Sequence, residues 1–123
     1  MKDFHALVVW QKAHQLTLAI YRVTAHFPRE EAFGLTSQMR RASASIAANV
    51  AEGCGRSGET EFARFLHIAA GSASELEYHL LLARDLSYLN TTDYTQLSDA
   101  LTEVKRMLAA LLRQIKLHRQ SSP

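Results

Sequence analysis

The run Gly53-Cys54-Gly55-Arg56-Ser57-Gly58 matches the phosphate-cradling pattern G-x-G-x-x-G letter for letter. In a dinucleotide site that pattern follows a strand and opens a helix, so that backbone N–H groups meet a pyrophosphate. Here it follows a helical stretch. Glu59 and Glu61 would also repel a phosphate at the next helix N-terminus. The run therefore reads as an interhelical turn that needs positive φ. Cys54 is the single cysteine, and Arg56 nearby could lower its pKa. No His/Asn constellation is evident to activate it, so a turn thiol or a partly buried thiol is expected.

Six histidines raise the question of metal chemistry. None forms the Glu-x-x-His pair of di-iron bundles, and none forms H-E-x-x-H. Glu75 and His79 share a helix face at i, i+4, a spacing common by chance. Asn49 reads as a buried amide that fixes packing register through a satisfied hydrogen bond. No paired-carboxylate or Ser/His/Asp pattern is present. The expectation is a protein with no catalytic residue, no cofactor, no metal ligand and no small-molecule substrate.

The elements that carry these residues are helices. Val9, Ala13, Leu16, Ile20, Val23 and Phe27 recur at 3- and 4-residue spacing, predicting a helix over about 7–27 that Pro28 ends. Met39, Ala42, Ile46 and Val50 predict a second over 36–53, capped by Thr36 or Ser37 and ended by Gly53. Phe62, Leu66, Ala69, Ala73, Leu76, Leu80 and Ala83 predict a third over 58–89, with Ser57 as its N-cap. Tyr94, Leu97, Leu101, Val104, Leu108, Leu111 and Ile115 predict a fourth over 93–118, followed by a frayed tail, 119–123. Four amphipathic helices with short connections read as one all-α domain, an antiparallel up-down-up-down four-helix bundle. Helices 2 and 3 are rich in Ala, Ser and Gly, so close approach is expected there, with Gly71 explained by it. An antiparallel pair would bring Glu75 or Glu77 toward Arg40 and Arg41, and Arg56 or Arg64 toward Glu52.

Composition agrees. The 123 residues are 47% hydrophobic and 21% charged, ordinary globular usage for one domain. With 5 Gly and 2 Pro, the chain lacks the turn residues of a many-stranded β-sandwich. One cysteine excludes an intramolecular disulfide and a multi-cysteine metal knuckle. No apolar run reaches signal-peptide length at the start, or the ~18 residues of a membrane span anywhere. A soluble cytoplasmic protein with reduced Cys54 is expected. The net charge of +2 is too balanced to mark a nucleic-acid binder by itself.

Two surfaces stand out. On helix 1 the flank Leu7, Trp10, His14, Leu18 and Tyr21 widens the apolar arc to roughly 220°, more than one core face needs. Trp10 and Tyr21 would centre an interface with another subunit. On helix 4, Lys105, Arg106, Arg113 and Lys116 share an arc of about 100° with no acid in it. Dipole complementarity accounts for such a stripe in one chain. Repeated around an oligomer, it would attract a phosphate backbone, helped by Arg40 and Arg41.

Three stretches carry a family resemblance. The first is Val9-Trp10-Gln11-Lys12-Ala13 with Tyr21 and Phe27-Pro28. The second is Phe33-Gly34-Leu35, Gln38, Arg40-Arg41-Ala42, Ser45-Ile46 and Asn49-Val50-Ala51-Glu52-Gly53 with Arg56. The third is Glu61-Phe62, Arg64-Phe65-Leu66, Ile68-Ala69 and Gly71-Ser72 with Glu75-Leu76. Together they resemble the 23S rRNA intervening-sequence proteins, bacterial four-helix-bundle proteins. The likeness is close over about residues 4–89 and follows pattern alone in helix 4. Ala47 stands where the family often has Pro, and Val50 where it often has Ile. The resemblance implies a small antiparallel bundle assembled as a ring-shaped homopentamer, non-enzymatic, with Asn49, Glu52, Gly53, Arg56, Arg64, Gly71, Ser72 and Glu75 as motif residues. Some family genes lie inside 23S rRNA intervening sequences, and retroelement-accessory relatives form basic pentamers that engage nucleic acid and a reverse transcriptase. An RNA or nucleoprotein partner is therefore expected, the alternative being a protein-binding adaptor with no nucleic-acid role.

Overall fold

Apolar side chains at 3- and 4-residue spacing leave water only if helices turn one face to a common core. In the computed structural model, which describes residues 2–121, the helices are α1 (Val8–Thr24), α2 (Leu35–Cys54), α3 (Glu59–Asp85) and α4 (Thr91–Ser121). Short 3-10 turns at Phe4–Ala6 and Arg29–Glu31 precede α1 and α2. α1 packs on α2 and α4, and α3 packs on α2 and α4. Cross-helix contacts run in opposite order along each pair. Arg40, early in α2, reaches Thr24 at the end of α1. Gly53, late in α2, meets Phe62 and Phe65, early in α3. Glu77 pairs with Lys105, and Glu59 with His118 at the far end of α4. Lys12 pairs with Glu103. Neighbouring helices therefore run in opposite directions.

The core follows the periodicity. All seven apolar positions read for α3 are buried, as are Met39, Ala42, Ile46 and Val50 of α2. In α1 Val23 is half-buried, and in α4 Tyr94 and Leu111 are. The rest of both stripes is buried.

The helix ends differ from the periodic reading. α1 stops at Thr24, and Phe27 is buried from the turn that follows. α3 stops at Asp85 because Ser87 takes φ 63°. The Tyr88 N–H then reaches the Ala83 carbonyl at 2.9 Å and the Ser87 N–H reaches Arg84, also at 2.9 Å, a Schellman closure with serine in the left-handed position. α4 starts at Thr91, and Asn90 caps it, accepting from the Asp93 N–H at 2.7 Å. α4 also continues past His118, so Arg119, Gln120 and Ser121 are helical. Residues 122–123 of the expected tail lie outside the described residues.

Side-chain caps from Thr36, Ser37 and Ser57 do not form. Gly34 is the N-cap of α2, and the Glu31 carboxylate accepts from the Leu35 N–H at 3.2 Å. The other Glu31 oxygen accepts from the Tyr88 hydroxyl at 2.9 Å, tying the α3–α4 turn to the start of α2. That bond holds Tyr88 in its protonated form and raises its pKa. Gly58, at φ 82°, caps α3 where a side chain would be strained.

Gly71 does not mediate close approach. It is exposed, and nothing lies within 4 Å of where its Cβ would sit. An open, helical glycine costs propensity with no packing return, so Gly71→Ala should stabilise the fold by about 1 kcal/mol. Thermal denaturation followed by circular dichroism checks this, and a lower midpoint would contradict it.

Candidate functional site

The motif residues of α2 and α3 form two structural devices. The first is a seam of polar groups. Asn49 Nδ2 donates to the Ser45 carbonyl at 2.8 Å and to Ser45 Oγ at 2.9 Å. Ser45 Oγ meets Ser72 Oγ across the helix pair at 2.8 Å. Half-buried amide and hydroxyls are thus satisfied while α2 and α3 are held in register. The second is a clamp at the α2–α3 turn. Arg56 pairs with Glu52 at 2.6 Å, and Arg64 with Glu61 at 3.0 Å. Both guanidiniums lie over the Phe65 ring, at 5.2 and 4.4 Å. The bond from Arg64 lowers the pKa of Glu61. The expected pairing of Arg56 with Glu52 is present, made from the turn and not from α3.

The pairing expected between Glu75 or Glu77 and Arg40 or Arg41 is absent. Glu75 Oε2 accepts from His79 Nε2 at 3.0 Å, and Glu77 pairs with Lys105. The reason is facing: α3 turns these carboxylates toward its own face and α4. Arg40 instead binds α1, its Nε donating to Thr24 Oγ1 at 2.9 Å and its Nη2 to the Tyr21 carbonyl at 3.3 Å.

Cys54 is buried, and burial pushes its thiol pKa up. The cation that acts on it is Lys2, not Arg56, which is engaged by Glu52 and Phe65. His79 is 7% exposed, and its Nδ1 is buried without a partner, so no third group extends the Glu75–His79 pair. Among the described residues, no three His, Cys, Asp or Glu side chains gather where a metal could sit. No helix among them is long and apolar enough to cross a membrane.

The α1 flank is partly covered from within. Trp10 stacks on His14 at 5.1 Å and meets the edge of Phe4 at 4.8 Å. The Phe4–Ala6 turn is held there by Asp3, which accepts from the His5 N–H at 3.1 Å, and by Gln11, which donates to the His5 carbonyl at 2.8 Å. Leu7, Trp10 and His14 are half-buried, whereas Leu18 and Tyr21 are exposed. Tyr21 carries the Arg40 guanidinium 4.7 Å above its ring. Beside this flank, Leu7, Val8, Met107, Ala110 and Leu111 line an apolar groove of about 260 Å³ between α1 and α4.

The basic residues separate into two groups. Arg40 and Arg41 lie at the α1–α2 turn end. Arg113 and Lys116 lie some 20 residues along α4, roughly 30 Å away by helix rise, facing the start of α3. They are not brought together. Lys105 is neutralised by Glu77. Arg106, Arg113, Lys116 and Arg119 are exposed, and no carboxylate among the described residues pairs with them. Arg113, Lys116 and Arg119 border a groove of about 570 Å³ between α3 and α4, with His67 across it and Ala63, Leu112 and Ile115 beneath.

Arg119 and His67 were not among the sequence candidates. The sequence reading puts Arg119 in the tail, although positions 112, 115, 116 and 119 continue the helical spacing that places it on α4. His67 is a lone exposed histidine with no signal of its own. Phe33, 98% exposed in the turn before α2, was likewise invisible to periodicity, as were Ile68 and Tyr78 on the outer face of α3.

Residues 5–110 match the family model described as 23S rRNA-intervening sequence protein. A crystal structure of a protein of unknown function from the S23 ribosomal protein family of Bacteroides thetaiotaomicron is similar in fold. Identity is 26%, the TM-score is 0.77, and the match covers 85% of this chain and 98% of that one. A comparison with curated proteins finds no match. A family model spanning most of the chain, and a solved bundle that superposes on it nearly end to end, lead to one statement: the chain belongs to the 23S rRNA-intervening sequence protein family.

Proposed function

We propose that the protein is a non-enzymatic, oligomeric helical module that holds a nucleic-acid phosphate backbone on the C-terminal half of α4. The observation that supports this most is the run Arg106, Arg113, Lys116 and Arg119, exposed and unneutralised by any described carboxylate. Phosphate contacts need such cations and tolerate wide variation in their placement. Homopentamer formation through the Trp10–Tyr21 flank and the adjoining α1–α4 groove would repeat this patch around a ring and raise its field well above that of a +2 chain. The test is RNA retention by the native protein over a salt series, with its mass measured in the same buffer. Reversing charge at Arg106, Arg113 and Lys116 should weaken retention about tenfold and reduce the salt slope by roughly three. Unchanged retention would remove the nucleic-acid role, and a monomeric mass at micromolar concentration would remove the ring. A second reading, a protein-binding adaptor, is favoured by the outer surface of α3, where Tyr78 is 58% exposed with exposed Leu81 one turn on. Salt-independent capture of protein without RNA would select it.

A further inference from the structure

We propose that the α3–α4 groove selects single-stranded over double-stranded nucleic acid by taking one unpaired base onto its apolar floor. The inference rests on the nucleic-acid reading above and names the form of partner that this site accepts. At about 570 Å³, the groove falls within the ~300–1,000 Å³ of clefts that hold small organic groups. Its walls divide by chemistry. Ala63 from α3 and Leu112 and Ile115 from α4 form the floor. The exposed remainder of the lining, the rim, is Arg113, Lys116, Arg119 and Gln120 from α4 and His67 from α3. Positions 112, 115, 116 and 119 recur at helical spacing, so floor and rim run side by side for about two turns.

A site for phosphate alone needs only the rim. A duplex offers this groove phosphates and sugars while its bases stay stacked inside, so the floor would remain in water. A single strand presents flat, weakly polar base faces between successive phosphates. One base laid across Ala63 and Leu112 removes apolar surface from water. The planar groups of His67 and an arginine can stack on it while its flanking phosphates meet Lys116 and the remaining arginine. A peptide helix fits less well. It needs a longer apolar channel for anchors at i, i+3, i+4 and i+7, and three apolar residues line this one.

Ala63→Leu tests this, because it fills the floor and leaves every charge in place. The probes are a short RNA strand, the same strand annealed to its complement, and inorganic polyphosphate, each titrated against wild type and variant at one salt concentration. Wild type should bind the strand about tenfold more tightly than the duplex, the low end of what stacking one base contributes. The variant should lose that preference and keep its duplex and polyphosphate affinities, with an unchanged circular dichroism melt. Equal wild-type affinity for strand and duplex overturns the inference while leaving the nucleic-acid reading intact, and so does a variant that keeps the preference. No binding of any of the three probes overturns both. Binding of an acidic amphipathic peptide in place of all three also overturns both, in favour of a protein partner.

Discussion

Leu76→Ala should destabilise the protein by about 3 kcal/mol. Leu76 is fully buried in the middle of α3, the helix that packs on both α2 and α4. Its removal takes apolar atoms out of the core and leaves a cavity there. Close-packed interiors collapse little around such a void, so a cavity cost adds to the lost transfer free energy. At this chain length the midpoint of thermal unfolding should fall by roughly 10 °C. Leu117→Ala provides the contrast. Leu117 is equally apolar but 59% exposed on α4, and its truncation should stay within about 0.5 kcal/mol. Similar losses at the two sites would contradict the placement of the core.

Gly53→Leu should cost about 2–3 kcal/mol by overpacking. A Cβ on Gly53 would sit 3.0 Å from Phe62 Cδ1, 3.0 Å from Phe65 Cβ and 3.4 Å from the Phe62 carbonyl oxygen. Both rings are buried, and the guanidiniums of Arg56 and Arg64 both lie over Phe65. Phe65 cannot move aside without breaking the turn clamp, and Phe62 is buried in the core, so three further carbons have nowhere to go. Gly53→Ala adds one carbon and gains about 1 kcal/mol of helix propensity, so its net effect should be small. Urea denaturation of the two variants separates these outcomes, and a Gly53→Leu protein as stable as wild type would show that the α2–α3 end is loosely packed. Gly53 and Gly71 thus carry opposite expectations, although each is a glycine inside a helix.

That contrast shows where sequence reading reaches its limit. The core was legible because burial in a bundle repeats with the helix, and the repeat is written in the order of residues. Ala69, Ala73, Leu76 and Leu80 could be placed inside from spacing alone, and all are buried. The function of a small residue was not legible in the same way. Gly71 sits one residue from Ser72, which does bond across the seam, yet the helix rotates about 100° between them and turns Gly71 outward. Helix ends were missed where the deciding group lay outside the local pattern. The Glu31 carboxylate stands in for a Thr36 cap, and Ser87 ends α3 in a conformation more usual for glycine.

Candidate surfaces follow the same division. The α4 stripe was visible as charge spacing, but its reach to Arg119, the neutralisation of Lys105 by Glu77 and the separation of Arg40 from Arg113 were not. By itself the sequence determined four amphipathic helices, their buried faces and the family. Each of these depends on periodicity or on residue order, which are local properties of the chain. The tertiary structure decided which charges pair, which apolar groups stay in water, and that a groove with three cations and an apolar floor forms between α3 and α4. Those depend on how one helix is rotated and offset against another, and side-chain packing across the interface sets that geometry.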